Sequence, residues 1–210
     1  MIGNPTFHSK GACLDPNLKG TLGGEYMKAS FPEGPKPKAV IVDITKTALL
    51  VLDGSQRWTD PTMACHQLVP GVSKFLDRAR RAGLPVIFTI SARKKETPDG
   101  EVCSDLNRRL SEPVIYPDGF DKFTGGELQA FLDLYNIDTL IMTGYRSNIS
   151  VLYTATKAAR ELKYNVVIPI DGIAATTEYE QQYTLYQFTV LPTQAARRFS
   201  FTALDEIQFQ

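Results

Sequence analysis

Three residues far apart in the chain are of types that could carry chemistry: a carboxylate at Asp53, an ammonium at Lys122 and a hydroxyl at Ser150. Asp53 closes the apolar run TALLVLD and opens DGSQRWTDP. Taken singly it is a turn cap, because Asp is favoured where chains turn. Its chemical reading is a partly desolvated carboxylate that moves protons. Lys122 sits in YPDGFDKFTGG, ahead of Gly125 and Gly126. It is an ordinary loop lysine unless the loop folds its ammonium back to Asp53. Ser150 follows the turn Gly144-Tyr145-Arg146-Ser147-Asn148, which joins the strand-like DTLIMTG to a helical pattern. As a helix-start serine it is a cap or a small packing residue. Its chemical reading is an oxygen at a strand-turn-helix corner, beside backbone N–H groups able to hold an oxyanion.

The elements that must bring these residues together follow from hydrophobic period. Strands are expected over 39–44, 47–53, 84–91, 112–117, 138–144 and 165–171, the second buried on both faces. Helices are expected over 69–83, 125–136, 149–164 and 177–191, with 92–111 as a polar loop and 200–207 as a strand or turn. Strands alternating with helices predict an α/β fold: three αβα layers with a mainly parallel sheet flanked by helices. Sites in such sheets gather beyond the carboxyl ends of strands. Asp53, the segment 91–96 and the turn 144–150 should therefore share one crevice. Residues 1–38, rich in Gly, Pro and Lys, read as an extended arm, with a single domain over 39–210.

Composition removes several function classes. Lys+Arg and Asp+Glu number 23 each, so no net field draws the chain to nucleic acid or an acidic membrane. The three cysteines, Cys13, Cys65 and Cys103, have no metal-ligand or redox spacing. The amino terminus lacks a signal-peptide core, and no apolar run approaches the ~20 residues of a membrane span. A cytoplasmic protein is expected. No glycine-rich dinucleotide or phosphate loop is present, and positions 53 and 55 read Asp and Ser, not the D-x-D of phosphate-transferring enzymes.

Four stretches in order, TALLVLDGSQRW, YPDGFDKFTGGELQAFL, TLIMTGYRSNISV and NVVIPIDGIAA, resemble the isochorismatase-like hydrolase superfamily, also called the cysteine hydrolase family. The resemblance runs from about Val40 to the C-terminus. It implies that Asp53 handles protons, Lys122 is its charged partner and Ser150 occupies the nucleophile position. It also implies a cis peptide between Tyr145 and Arg146, with the N–H groups of Arg146 and Ser150 facing an oxyanion. Trp58 matches a position where the family sets an aromatic against substrate. Gln56, Arg93 and Tyr145 are further candidates for lining the pocket. No cofactor is expected, and no metal, since IFTISARKKE lacks the D-x-H of nicotinamidase-like members. Asp171 is expected to cap the GIAA turn. Homo-oligomers are common in the family, and the arm with Tyr179, Tyr183, Tyr186 and Phe188 would suit subunit contacts.

Many family members carry Cys where Ser150 stands, whether by natural or engineered replacement here. A free thiol and an aspartate differ by about 4.5 pKa units, or ~6 kcal/mol, whereas a hydroxyl and an aspartate differ by more than ~8 kcal/mol. Serine hydrolases bridge that gap with a histidine. Neither His8 nor His66 lies at a strand end facing the crevice. Three functions follow: hydrolysis of an amide or ureide C–N bond of a small metabolite, vinyl-ether hydrolysis of isochorismate with Asp53 as general acid, or binding without turnover. ARKK at 92–95 reads as a solvated charge run, although the dianionic isochorismate would need cations.

Overall fold

Strand β2 (Thr47–Leu52) has every residue buried, and this dictates its place at the centre of a sheet covered on both faces. It pairs in parallel with β3 (Val86–Thr89) on one side and β5 (Thr139–Tyr145) on the other. The computed structural model, which describes residues 33–210, orders the main sheet β4-β3-β2-β5-β6-β8, with β7 (Ile173–Ala174) paired to the end of β5. Here β4 is Val114–Ile115, β6 is Asn165–Pro169 and β8 is Phe199–Thr202. Every pairing is parallel. A separate parallel pair joins β1 (Val40–Val42) to β9 (Ile207–Phe209).

Period-2 alternation divides the strands between two cores. Ala48, Leu50, Leu52, Leu140 and Met142 face one way, with the apolar stripes of α2 (Glu127–Leu134), α3 (Leu152–Arg160) and α4 (Glu178–Thr189). Leu49, Val51 and Ile141 face the other, against Val72, Phe75, Leu76 and Ala79 of α1 (Val69–Ala82). The result is the three-layer αβα architecture. Residues 34–210 cluster as one compact unit. Residues 1–32 of the expected arm, with His8 and Cys13, lie outside the described residues.

Several elements are shorter than their apolar patterns. The strand expected over 112–117 pairs only at Val114 and Ile115. The helix expected over 125–136 waits for Gly126, whose φ of 83° holds it outside helical space. The helix expected over 149–164 opens as a π turn, Ser147–Val151, before α3 begins. Within 92–111 the chain makes short 3-10 turns at 92–94, 98–100 and 104–106. Two side chains depart from expectation. Phe188 is fully buried and stacks on Phe199 at 4.6 Å, so it serves the core and not a subunit contact. Asp171 accepts the Leu204 N–H at 2.8 Å, tying the end of β6 to a distant turn instead of capping GIAA.

Candidate active site

Because β2 lies between β3 and β5, the chain runs outward from β2 through β3 to β4 and then crosses to β5 on the other side. A crevice opens at such a reversal, beyond the carboxyl ends of the strands. It holds a cavity of about 320 Å³ whose wall takes Asp53 from β2, Ser91, Arg93 and Lys94 after β3, and Tyr145, Arg146 and Ser150 after β5. The three strand ends meet there, as topology predicts.

Asp53 leaves β2 with φ at 53°, in left-handed space that Asp enters more readily than most residues. Asp53 lines the cavity, with 23% of its side chain exposed. Lys122 arrives from the loop between β4 and α2. That loop is pinned to α3: the Lys122 N–H donates to Thr154 Oγ1 at 3.1 Å, and Lys157 pairs with Asp121 at 3.2 Å. So held, Lys122 has only 1% of its side chain exposed and donates from Nζ to Asp53 Oδ1 at 2.8 Å. A buried ammonium needs such a partner.

Ser150 comes from the π turn that follows β5. Two backbone features precede it. Gly144, with φ at 145°, ends the pairing of β5 with β2, and a Cβ there would overlap the backbone of Leu52. The Tyr145–Arg146 peptide is cis. Ser150 is 5% exposed, and its hydroxyl donates to Asp53 Oδ2. Asp53 thus links both other groups, one on each carboxylate oxygen. Within the turn, the N–H groups of Ile149 and Val151 both donate to the Arg146 carbonyl at 3.2 Å.

The remaining candidates separate. Trp58 is fully buried yet forms part of the cavity wall, and its indole N–H has no acceptor among the described residues. Arg93 and Tyr145 also line the cavity. Gln56 does not; its amide oxygen is turned away to accept the Ser104 N–H at 3.2 Å. His66 is likewise absent from the wall, with Nδ1 at 2.8 Å from the Trp58 carbonyl oxygen. Sequence reasoning passed over Arg57, Cys65, Asp118 and Phe120, which all line the cavity. Arg57 adjoins Trp58 and Phe120 lies two residues before Lys122, so proximity to named residues was the available signal. Nothing in the local sequence marks Cys65. Among the described residues no group of three or more His, Cys, Asp or Glu side chains is placed to hold a metal ion. No helix among them is long and apolar enough to cross a membrane.

The model of the isochorismatase domain matches residues 47–196, well over half of the 210-residue chain and including all three of these polar residues. The chain belongs to the isochorismatase family. It is an isochorismatase-family hydrolase with the α/β fold of that family. Among curated relatives, an uncharacterized isochorismatase family protein, YwoC of Bacillus subtilis (strain 168), is 27% identical over 165 residues, 69% of this chain and 86% of that one. The N-carbamoylsarcosine amidase of an Arthrobacter species is 24% identical over 170 residues, covering 67% of this chain and 64% of the amidase. Among solved structures, an isochorismatase-like hydrolase from Alkaliphilus metalliredigens superposes with a TM-score of 0.67 at 23% identity, over 77% of this chain and 96% of that one. The N-carbamoylsarcosine amidase from Thermoplasma acidophilum does so with 0.65 at 21% identity, over 76% and 97%. At these identities the solved structures speak for the fold alone.

Proposed function

We propose that this family member hydrolyses a C–N bond, of amide or ureide type, in a small metabolite through Asp53, Lys122 and Ser150. The observation that carries the reading is the pair of contacts on one carboxylate: Lys122 Nζ on Oδ1 at 2.8 Å and the Ser150 hydroxyl on Oδ2. In that arrangement Ser150 Oγ attacks the substrate carbonyl carbon while its proton passes to Asp53. The ammonium of Lys122 stays put and balances charge at the carboxylate. As the family resemblance implies, the N–H groups of Arg146 and Ser150 would face the oxyanion. Collapse of the tetrahedral species breaks the C–N bond, and Asp53 returns the proton to the leaving nitrogen. Water then cleaves the acyl-serine, with Asp53 again accepting and returning a proton. A relative named for N-carbamoylsarcosine, itself a ureide, supports the substrate class.

The hydroxyl sets the rate. Among the described residues no histidine lines the cavity to draw its proton, so the serine form should be slow. Ser150→Cys is expected to raise the rate on simple amides and ureides at least tenfold and to yield a covalent adduct visible by intact-protein mass spectrometry. Asp53→Asn should lower the rate of either form by about 10²-fold or more. Inactivity of both the serine and the cysteine forms across a panel of amides and ureides would end this reading.

The same hydroxyl favours a second reading, vinyl-ether hydrolysis of isochorismate. That reaction needs no covalent intermediate, so Ser150 would only hold water or substrate while Asp53 acts as general acid. Turnover of isochorismate by the serine form, abolished in Asp53→Asn and unimproved in Ser150→Cys, would select it over the first.

A further inference from the structure

The cavity carries more positive charge than the Asp53 chemistry consumes. Its wall includes Arg57, Arg93, Lys94, Lys122 and Arg146, against Asp53 and Asp118. Lys122 is taken by Asp53, and Arg93 stands 4.0 Å from Asp118. Lys94 and Arg57 share a single carboxylate, Asp99, at 3.2 and 3.9 Å. Five cations therefore face three carboxylates. Arg146 is the lining cation with no carboxylate in ion-pair range among the described residues.

Arg146 is also steered. Its Nε donates to the Tyr145 hydroxyl at 3.5 Å, and its guanidinium lies 5.9 Å from the centre of the Tyr145 ring. It is half-buried and belongs to the turn that carries Ser150. Glu180 lies outside ion-pair range of Arg146 and is bonded to other groups: it accepts the Thr177 N–H at 3.0 Å, the Thr177 hydroxyl at 3.2 Å and the Asn148 amide at 3.0 Å. A guanidinium held this way presents donors in a planar fork, the geometry that matches a carboxylate with two parallel hydrogen bonds.

We infer that the substrate carries a carboxylate and that Arg146 binds it, so that the cavity selects anionic over neutral amides. The inference rests on the Asp53 cavity being the substrate site, and it concerns recognition, not bond cleavage. Arg57 and Arg93, with 44% and 88% of their side chains exposed, are solvated and contribute attraction at the mouth more than a fixed contact.

The chain's one tryptophan, Trp58, is on the cavity wall, so its fluorescence reports occupancy without any turnover. The probes are succinamate and n-butyramide, which share an amide and a chain length and differ in the carboxylate. Succinamate is expected to bind at least tenfold more tightly. In Arg146→Gln the two should come within threefold of each other through weakened succinamate binding, with the urea midpoint checking that the fold is kept. Arg57→Gln and Arg93→Gln should each move the ratio by no more than threefold. Equal binding of the two probes, no detectable binding of either, or a preference that survives Arg146→Gln would overturn the inference. Retained preference in a protein that cleaves no amide would sink the C–N reading alone. Turnover of neutral amides with no carboxylate preference would sink this inference alone.

Discussion

Lys122 holds a full charge with 1% of its side chain exposed, and the Asp53 carboxylate 2.8 Å away is what makes that tolerable. Residues in the same cavity show how differently burial acts on different groups. Cys65 lines the wall that Ser150 lines, and as a thiol it is the obvious rival nucleophile. Burial pushes its thiol up, and the same desolvation pushes up Cys103. A raised value means less thiolate at a given pH than a free cysteine has, hence lower reactivity. Iodoacetamide at pH 7.5 is therefore expected to label Cys65 and Cys103 at least tenfold more slowly in the folded protein than in urea, measured by peptide mass spectrometry. Rapid labelling of Cys65 in the native state would reopen its candidacy. Of the residues named from sequence, Asp53, Lys122 and Ser150 meet in the structure, whereas Gln56 turns away because a backbone N–H at Ser104 offers its oxygen a partner.

At the scale of elements, α1 and the segment before β4 are joined by a buried ion pair. Arg80 on α1 donates to both carboxylate oxygens of Glu112 at 2.7 and 2.9 Å, with 4% and 7% of the two side chains exposed. Glu112 also accepts the Arg109 N–H at 2.8 Å. Removing Glu112 leaves the buried Arg80 with only the exposed Asp77 at 3.7 Å and the Leu106 carbonyl at 3.2 Å, so Glu112→Ala is expected to cost about 3 kcal/mol in urea denaturation. A cost below about 1 kcal/mol would mean that water reaches Arg80. Element identity was readable from period and caps. The end of α1 at Gly83 and the helix over 178–189 lie close to their patterns. The π turn at Ser147–Val151 was not readable, because an apolar stripe counts which residues face inward and not how the first turn is wound.

At the scale of the molecule, β2 and β5 are shared by both hydrophobic layers, residue by residue in alternation. Neither layer can lose its packing while the other keeps a formed sheet. One cooperative transition is expected for the described fold, with Trp58 fluorescence reporting the α1 side and far-ultraviolet circular dichroism reporting both. The two urea curves should coincide in midpoint. A separate early fluorescence transition would show that the α1 layer opens by itself.

The fold class and the chemical types of the site lay in the linear sequence, because hydrophobic period and short motifs act over a few residues at a time. TALLVLD had to be a central strand, and its terminal carboxylate had to emerge at a sheet edge. What the sequence could not express is distance between segments. That Lys122 reaches Asp53 depends on Thr154 and Asp121 pinning a loop to α3. That Arg146 lines the cavity outside ion-pair range of Glu180, which is bonded to Thr177 and Asn148, depends on where the packed chain sets these side chains. Both are outcomes of competition among side chains that only the packed chain brings within reach of one another.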